Sequence, residues 1–194
     1  MANPVLGQKF SPEEYLVWEE LQPTRHEYVD GEVFDLHRDT EGMAGAKEQH
    51  VTVSGNAYMA LRQHLAGTPC RSFMAEMKLE VQAVNSFHYP DVMVTCSEAD
   101  KADKLIKREP TLIIEVLSPS TAAYDRGDKF EAYRMLPSLA EYVLIDTDKR
   151  TAEVYRKGAD GLWVLHPFGK GQDVRWASVD LTVTAAVLFA EIDD

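Results

Sequence analysis

Hydrophobic and polar positions along the chain resolve into an ordered set of elements. Phe10-Ser11-Pro12-Glu13-Glu14-Tyr15 is a marked helix start. Ser11 reads as the N-cap, Pro12 as the first helical residue and Glu14 as the closing side of a capping box, with Phe10 stapled onto Tyr15. That helix is expected to run to about Leu21, with Pro23 stopping it. His26-Glu27-Tyr28-Val29 and Glu32-Val33-Phe34-Asp35-Leu36 flank Asp30-Gly31, a two-residue hairpin signal. A loop carrying Gly42 and Gly45 leads into a helix expected over 48–65. There Val51, Ser54, Tyr58, Leu61 and Leu65 recur at helical spacing, and Gly67 ends it.

The period then changes. Phe73, Ala75, Met77, Leu79 and Val81 alternate with Glu76, Lys78, Glu80 and Gln82, which predicts one half-exposed strand. Tyr89-Pro90-Asp91-Val92-Met93-Val94 predicts another, followed by a charged loop over 97–109. The run Leu112-Ile113-Ile114-Glu115-Val116-Leu117 reads as a strand covered on both faces, bounded by Pro110 and by Ser118-Pro119. A helix is expected over 120–136, with Asp125 as N-cap, Asp128 three residues on, Phe130 and Tyr133 inward, and Pro137 as its end. A hairpin over 142–155 turns around 146–150; a last strand near 162–165 and an apolar tail over 185–190 follow. This order of helices and strands predicts an α/β (α+β) fold, a mixed sheet flanked by helices, as a single domain over 1–194.

Glu115 breaks the pattern it sits in. A carboxylate among those neighbours loses water at a cost of several kcal/mol unless a cation or good donors compensate. Asp91, at the mouth of another apolar strand, supplies a second carboxylate, and side by side the two could hold one divalent ion. Mg²⁺ (or Mn²⁺) takes oxygen ligands and is usually held by one or two carboxylates plus substrate phosphate. The nearest suitable cation is Lys129 on the following helix, with Tyr133 one turn later on the same face. Plainer readings stand beside these: Asp91 as a turn cap, Glu115 as a buried ion pair with Arg126 or Lys129, and Glu76 and Glu80 as a solvated strand face.

Composition constrains the partners. The formal charge of −12 lacks the basic footprint usual for nucleic-acid binding, so any phosphate-binding face must be local, metal-assisted or built by oligomerisation. Lys101, Lys104, Lys107 and Arg108 cluster, but Glu98, Asp100, Asp103 and Glu109 interleave with them, which favours a charge-balanced loop. Cys70 and Cys96, the two cysteines, lie in no CxxC pair and are expected to be free, packed thiols in a reducing cytoplasm. No apolar run of ~18 residues predicts a membrane span. The start, Met1-Ala2-Asn3-Pro4, lacks the pattern of a secretory signal, so a cytoplasmic location is expected.

Several stretches together resemble a known family. They are Tyr-Pro-Asp91, Pro-Thr-Leu-Ile-Ile-Glu115-Val-Leu-Ser-Pro-Ser-Thr121 and Asp125-Arg-Gly-Asp-Lys129 through Tyr133. The opening Ser-Pro-Glu-Glu-Tyr, His26-Glu27-Tyr-Val-Asp-Gly31-Glu32 and Glu141 to Tyr155 join them. They resemble the Uma family of putative restriction endonucleases, in the PD-(D/E)XK nuclease superfamily, over roughly residues 10–190. The resemblance implies a mixed β-sheet core flanked by helices and Mg²⁺-dependent hydrolysis of DNA phosphodiesters, with extra hairpins near both ends of the chain. It implies Asp91, Glu115 and Lys129 as catalytic residues, and Asp91, Glu115 and the Val116 carbonyl as metal ligands. His50, Tyr133 and Glu27 match positions that would support the site or meet substrate. The lysine expected two residues after Glu115 is Leu117 here, and Lys129 matches the position that takes over. Superfamily members often act as dimers, so a homodimer is expected. The alternatives are an inactive nuclease-fold protein acting as a binding or regulatory module, and a hydrolase of another phosphoester.

Overall fold

A computed structural model of the protein describes residues 7, 9–36 and 48–192. The expected loop with Gly42 and Gly45, and residues 1–4, lie outside them. Helix α1 (Pro12–Glu19) starts as its sequence predicts: Ser11 Oγ accepts from the Glu14 amide at 3.2 Å, and the Ser11 amide donates to the Glu14 carboxylate at 2.8 Å. The helix is shorter than expected, with Glu20 capping it and Leu21 exposed. Phe10 meets the ring of Trp18, while Tyr15 is buried against Tyr28. Strands β1 (His26–Val29) and β2 (Glu32–Asp35) pair around Asp30 and Gly31, both at positive φ, as a two-residue hairpin turn requires.

Helix α2 (Glu48–His64) turns Val53, Ser54, Ala57 and Leu61 inward, and Val51, expected on that face, is exposed instead. The predicted strand over 73–82 is two strands. Ala75, at φ +38°, turns the chain between β3 (Arg71–Met74) and β4 (Lys78–Val81), which enter different sheets. Alternation ran unbroken across the turn because no Gly or Pro marked it. The amide of Ala75 donates to the Asp91 carbonyl, so the break is anchored where the first carboxylate stands.

After β5 (Ser86–His88) and β6 (Val92–Thr95), the expected charged loop contains helix α3 (Glu98–Ala102), capped by Ser97, and β7 (Ile106–Lys107). Its cations are taken up within the chain. Lys107 is buried and donates to the Asp100 and Asp103 carbonyls, Lys101 pairs with Glu98, and Arg108 bridges Glu80 and Asp103. Glu80 is therefore an ion-pair partner rather than a merely solvated side chain, and Glu76 likewise pairs with Arg25.

Strand β8 (Pro110–Leu117) leads into a helical stretch of three parts: α4 (Ala122–Tyr124), a wide π turn over Asp125–Lys129, and α5 (Phe130–Tyr133). Asp125 is thus inside the stretch rather than its N-cap; Thr121 holds that position. Strands β9 (Glu141–Asp146), β10 (Thr151–Lys157) and β11 (Trp163–Phe168) follow, then β12 (Val174–Trp176), β13 (Leu181–Val183) and α6 (Ala185–Leu188). Among the described residues the strands form sheets ordered β11-β10-β9-β8-β6-β3, β2-β1-β5-β4-β7 and β12-β13. The two larger sheets are mixed, with β8 parallel to β9 and β4 parallel to β7, and β12-β13 is antiparallel. The fold is the expected mixed α+β class.

Strand periodicity sorts the two faces of β8. Leu112, Ile114 and Val116 pack with Val53, Ala57 and Leu61 of α2, whereas Ile113 and Leu117 pack with Met93, Tyr133 and Tyr142. Glu115, between Ile113 and Leu117 in that alternation, faces the second group and the helical stretch. No helix among the described residues is long and apolar enough to cross a membrane.

Cys70 and Cys96, expected as free thiols, are joined in a disulfide. The antiparallel register pairs Arg71 with Thr95, so the residues just beyond them, one before β3 and one after β6, stand opposite each other. The argument for a reducing compartment drawn from unpaired thiols falls with that pairing. The bridge spans 26 residues of sequence, and a loop of that size implies about 2–4 kcal/mol of stabilisation through the unfolded chain. Dithiothreitol, or the Cys70→Ser/Cys96→Ser variant, should lower the melting temperature correspondingly. A melt indifferent to reductant would show that the bridge contributes nothing.

Candidate active site

Antiparallel pairing of β6 with β8 sets Val92 against Ile114, and the next pair out is Asp91 and Glu115. Two reciprocal bonds clasp them. The Asp91 amide donates to Glu115 Oε2 at 3.2 Å, and the Val116 amide donates to Asp91 Oδ2 at 2.7 Å. Two acids 24 residues apart in sequence therefore converge at one end of the six-stranded sheet. Glu115 is buried, while the Asp91 side chain stays about one-fifth exposed. His50, at the start of α2, places Nε2 3.2 Å from Asp91 Oδ2 on the open side.

The helical stretch closes the other side. Lys129 Nζ lies 3.1 Å from Glu115 Oε1, and the Tyr133 hydroxyl donates to the same oxygen at 3.0 Å. Lys129 therefore reaches the site from the helix, over a Leu117 buried at the position where a lysine would otherwise stand. Arg126, the other cation considered for Glu115, pairs with Glu153 instead.

Lys129 is shared further. Its ammonium lies 3.4 Å from Glu27 Oε1 and 3.4 Å from Asp125 Oδ1, two buried oxygens that have no hydrogen-bond partner. Glu27 also faces His88 Nδ1 at 3.3 Å and accepts from the Tyr124 hydroxyl at 3.1 Å. Its place on β1 follows from the hairpin, which pairs with β5 and so carries Glu27 beside His88. Asp125 sits in the π turn, four residues before Lys129, and its backbone carbonyl accepts from the Tyr142 hydroxyl at 2.9 Å. The sequence reading missed Asp125, His88 and Tyr124. The i, i+4 spacing of Asp125 and Lys129 was a legible signal for the first; nothing local marked the other two.

Three carboxylates thus gather around one ammonium, and a single cation cannot hold all of them ionised in a buried setting. Burial lifts the Glu115 carboxyl well above its ordinary range against the pull of Lys129, and lifts Asp125 in the same way. Glu27 goes the other way: burial alone would raise it, but Lys129 and His88 bring it down to about 2. Burial works against the Lys129 ammonium too, yet Glu115 and Glu27 prevail and hold its pKa well above the usual value. Burial pulls His50 down, but its bond to Asp91 together with the negative charge of Asp91 and Asp125 leaves it raised.

The donor set suits a hard divalent cation: oxygen ligands, an excess of negative charge and an opening at Asp91. Asp91, Glu115 and the Val116 carbonyl are the residues that would hold it. Among the described residues no three or more His, Cys, Asp or Glu side chains are gathered as a metal site, so side chains alone would provide only two of the ligands.

Comparison with known proteins agrees with this architecture. A family described as putative restriction endonucleases, Uma2, matches residues 12–186. An uncharacterized protein of Synechocystis sp., slr1290, is 34% identical over 181 residues, covering 93% of this chain and 92% of its own. A second from the same organism, sll1609, is 34% identical over 154 residues, covering 78% and 83%. The crystal structure of a putative nuclease belonging to DUF820 from Anabaena variabilis superposes with a TM-score of 0.73 at 18% identity. That match covers 93% of this chain and 98% of the other, a likeness of fold.

Proposed function

The chain belongs to the Uma2 family of putative restriction endonucleases, and from that membership we propose that it is a divalent-metal-dependent endonuclease hydrolysing DNA phosphodiester bonds. One observation carries the reading: Asp91 and Glu115 are clasped side by side at a sheet end, with Lys129 Nζ 3.1 Å from Glu115. Asp91, Glu115 and the Val116 carbonyl are the proposed ligands for Mg²⁺ or Mn²⁺. When bound, such an ion supplies polarisation of a phosphoryl oxygen and a more acidic water.

The remaining work falls to this chain's own groups. Lys129 Nζ and the Tyr133 hydroxyl fix Glu115 Oε1, which leaves the carboxylate a single orientation towards Asp91. Glu27 and Asp125 hold Lys129 charged, so that its ammonium can orient water and stabilise negative charge developing on the phosphoryl group. His50 Nε2, on the open side of Asp91, is placed to meet substrate or to receive a proton. A homodimer belongs to this reading as well: among the described residues β11 is an edge of the six-stranded sheet, and it exposes Val164 and Leu165.

The test is cleavage of supercoiled and linear duplex DNA and of single strands with Mg²⁺ or Mn²⁺, with EDTA as control. Metal-dependent nicking is the expected result. No cleavage of any DNA form, together with no calorimetric binding of either ion, would sink the proposal.

A further inference from the structure

We propose that a second site, remote from the carboxylates, binds a phosphate-type oxyanion. A cavity of about 400 Å³ opens where α2 ends and β3 begins, lined by Arg62, Leu65, Thr68, Cys70, Arg71 and Ser72 among others, none of them acidic. It lies at the far end of the β3–β6 pair. Arg71 is paired with Thr95 there, whereas Met74 pairs with Val92 next to Asp91. At ~3.3 Å per residue, that sets Arg71 roughly 13 Å along the sheet from the Asp91 end.

Three observations point to an anion. In a chain of charge −12, seven other described arginines each hold a carboxylate or a backbone carbonyl. Among the described residues Arg62 and Arg71 are the two arginines with no such partner, and both line this one cavity. Beside them Ser72 is 4% exposed, and its buried hydroxyl has no hydrogen-bond partner. A buried hydroxyl without a partner is costly, and a turn of the Ser72 side chain towards a bound oxyanion would satisfy it. Guanidinium groups present planar paired donors that match phosphate geometry, which a lysine does not. Arg62 also offsets the negative end of α2, which would otherwise repel an anion.

The lining is fixed from two sides. Gly67, at φ +80°, turns the chain out of α2, and the Cys70–Cys96 bridge holds the residue before Arg71. Phosphate could reach the site as a free phosphorylated small molecule or as part of a nucleic-acid backbone. The chemistry is shared, and the site does not depend on the nuclease reading.

Calorimetry of the full, oxidised chain tests it, with inorganic phosphate as one probe and a short DNA duplex without metal as the other. The wild type should bind phosphate, and Arg62→Gln/Arg71→Gln should weaken that binding at least about tenfold with little change in melting temperature, because both side chains are exposed and only the favourable placement of Arg62 at the end of α2 is lost. Ser72→Ala should weaken it too, without lowering the melting temperature, since its hydroxyl has no partner to lose. If the double variant loses affinity for both probes, the site lies on the path of a polynucleotide. If it loses inorganic phosphate alone, the ligand is a small phosphorylated molecule. Either result upholds the oxyanion site. Absence of phosphate binding by the wild type, or binding undiminished in the double variant, overturns it.

Discussion

Glu115→Gln is expected to reduce metal-dependent DNA cleavage by at least about 10²–10³-fold, the loss typical when one electrostatic group is removed from a reacting centre. Its effect on stability should be small or favourable. The amide oxygen can still accept from Tyr133 and Lys129, and Lys129 keeps Glu27 and Asp125, while the Asp91 amide loses its acceptor to the new NH2 group, which offsets part of the gain. The substitution also removes a carboxyl that burial already pushes well above its ordinary range. An isosteric neutral group at such a position relieves a desolvation cost rather than creating one. The contrast between the two readouts is what gives the variant its value. A group kept for folding would lose stability on neutralisation; a group kept for chemistry would lose rate. A higher melting temperature with cleavage undiminished would mark Glu115 as neither ligand nor catalyst. If the wild type itself cuts nothing, the same stability gain would favour a binding or regulatory module on a nuclease fold.

Much of this geometry was readable in the chain because strands obey a strict period. Glu115 stands in an apolar run, and a two-residue alternation gives it the same face as Ile113 and Leu117, so its conflict with its neighbours was visible without coordinates. The hairpin at Asp30-Gly31 and the capped start of α1 were equally legible, since each rests on residues adjacent in sequence. Reading failed where a local pattern continued through a tertiary event. The alternation over 73–82 concealed the turn at Ala75, which carries a side chain and gives no composition signal for a positive φ. The charged segment over 97–109 read as loop because its acids and cations interleave and balance, whereas Lys107 is buried against carbonyls that only the fold brings to it. The cysteines went the same way: their pairing follows from the register of β3 with β6, and register is not local information.

The cluster around Lys129 shows the same limit at the site. Glu27 comes from the first hairpin, His88 from β5, Glu115 from β8 and Asp125 from the π turn. The resemblance drew attention to Glu27 and Lys129 as separate positions. Their relation, in which one ammonium sits between three acids from three parts of the chain, is a property of how the two larger sheets and the helical stretch meet. It also resolves the plainer reading of Glu115. A buried ion pair with Lys129 and a role in the proposed chemistry are not exclusive, because the lysine is held by more carboxylates than it can neutralise.

That surplus makes Lys129→Met the most destabilising single change expected in the site. Methionine fits the volume and removes the charge, leaving Glu27, Glu115 and Asp125 buried without their cation. Removing one partner of a buried ion pair typically costs 3–5 kcal/mol, a magnitude of about 3 kcal/mol or more here at pH 7. The pH dependence follows from the direction of each shift. In the wild type Glu27 is held down at about 2, so its contribution is present above its ordinary value of 4.5 and is lost only as pH falls through about 2. Without Lys129 the three carboxyls are raised instead, so the folded state binds protons more tightly than the unfolded chain between 4.5 and those raised values. Stability of the variant should then rise as pH is lowered from 7 to 5, and its deficit against wild type should narrow. Adding Glu115→Gln to Lys129→Met should recover about 1 kcal/mol or more, because the two groups are in contact and their effects do not add. Chemical denaturation at pH 7 and pH 5 measures all three quantities. A Lys129→Met deficit under ~1 kcal/mol at pH 7, or one that does not shrink at pH 5, would show that this ammonium does not hold the acids together.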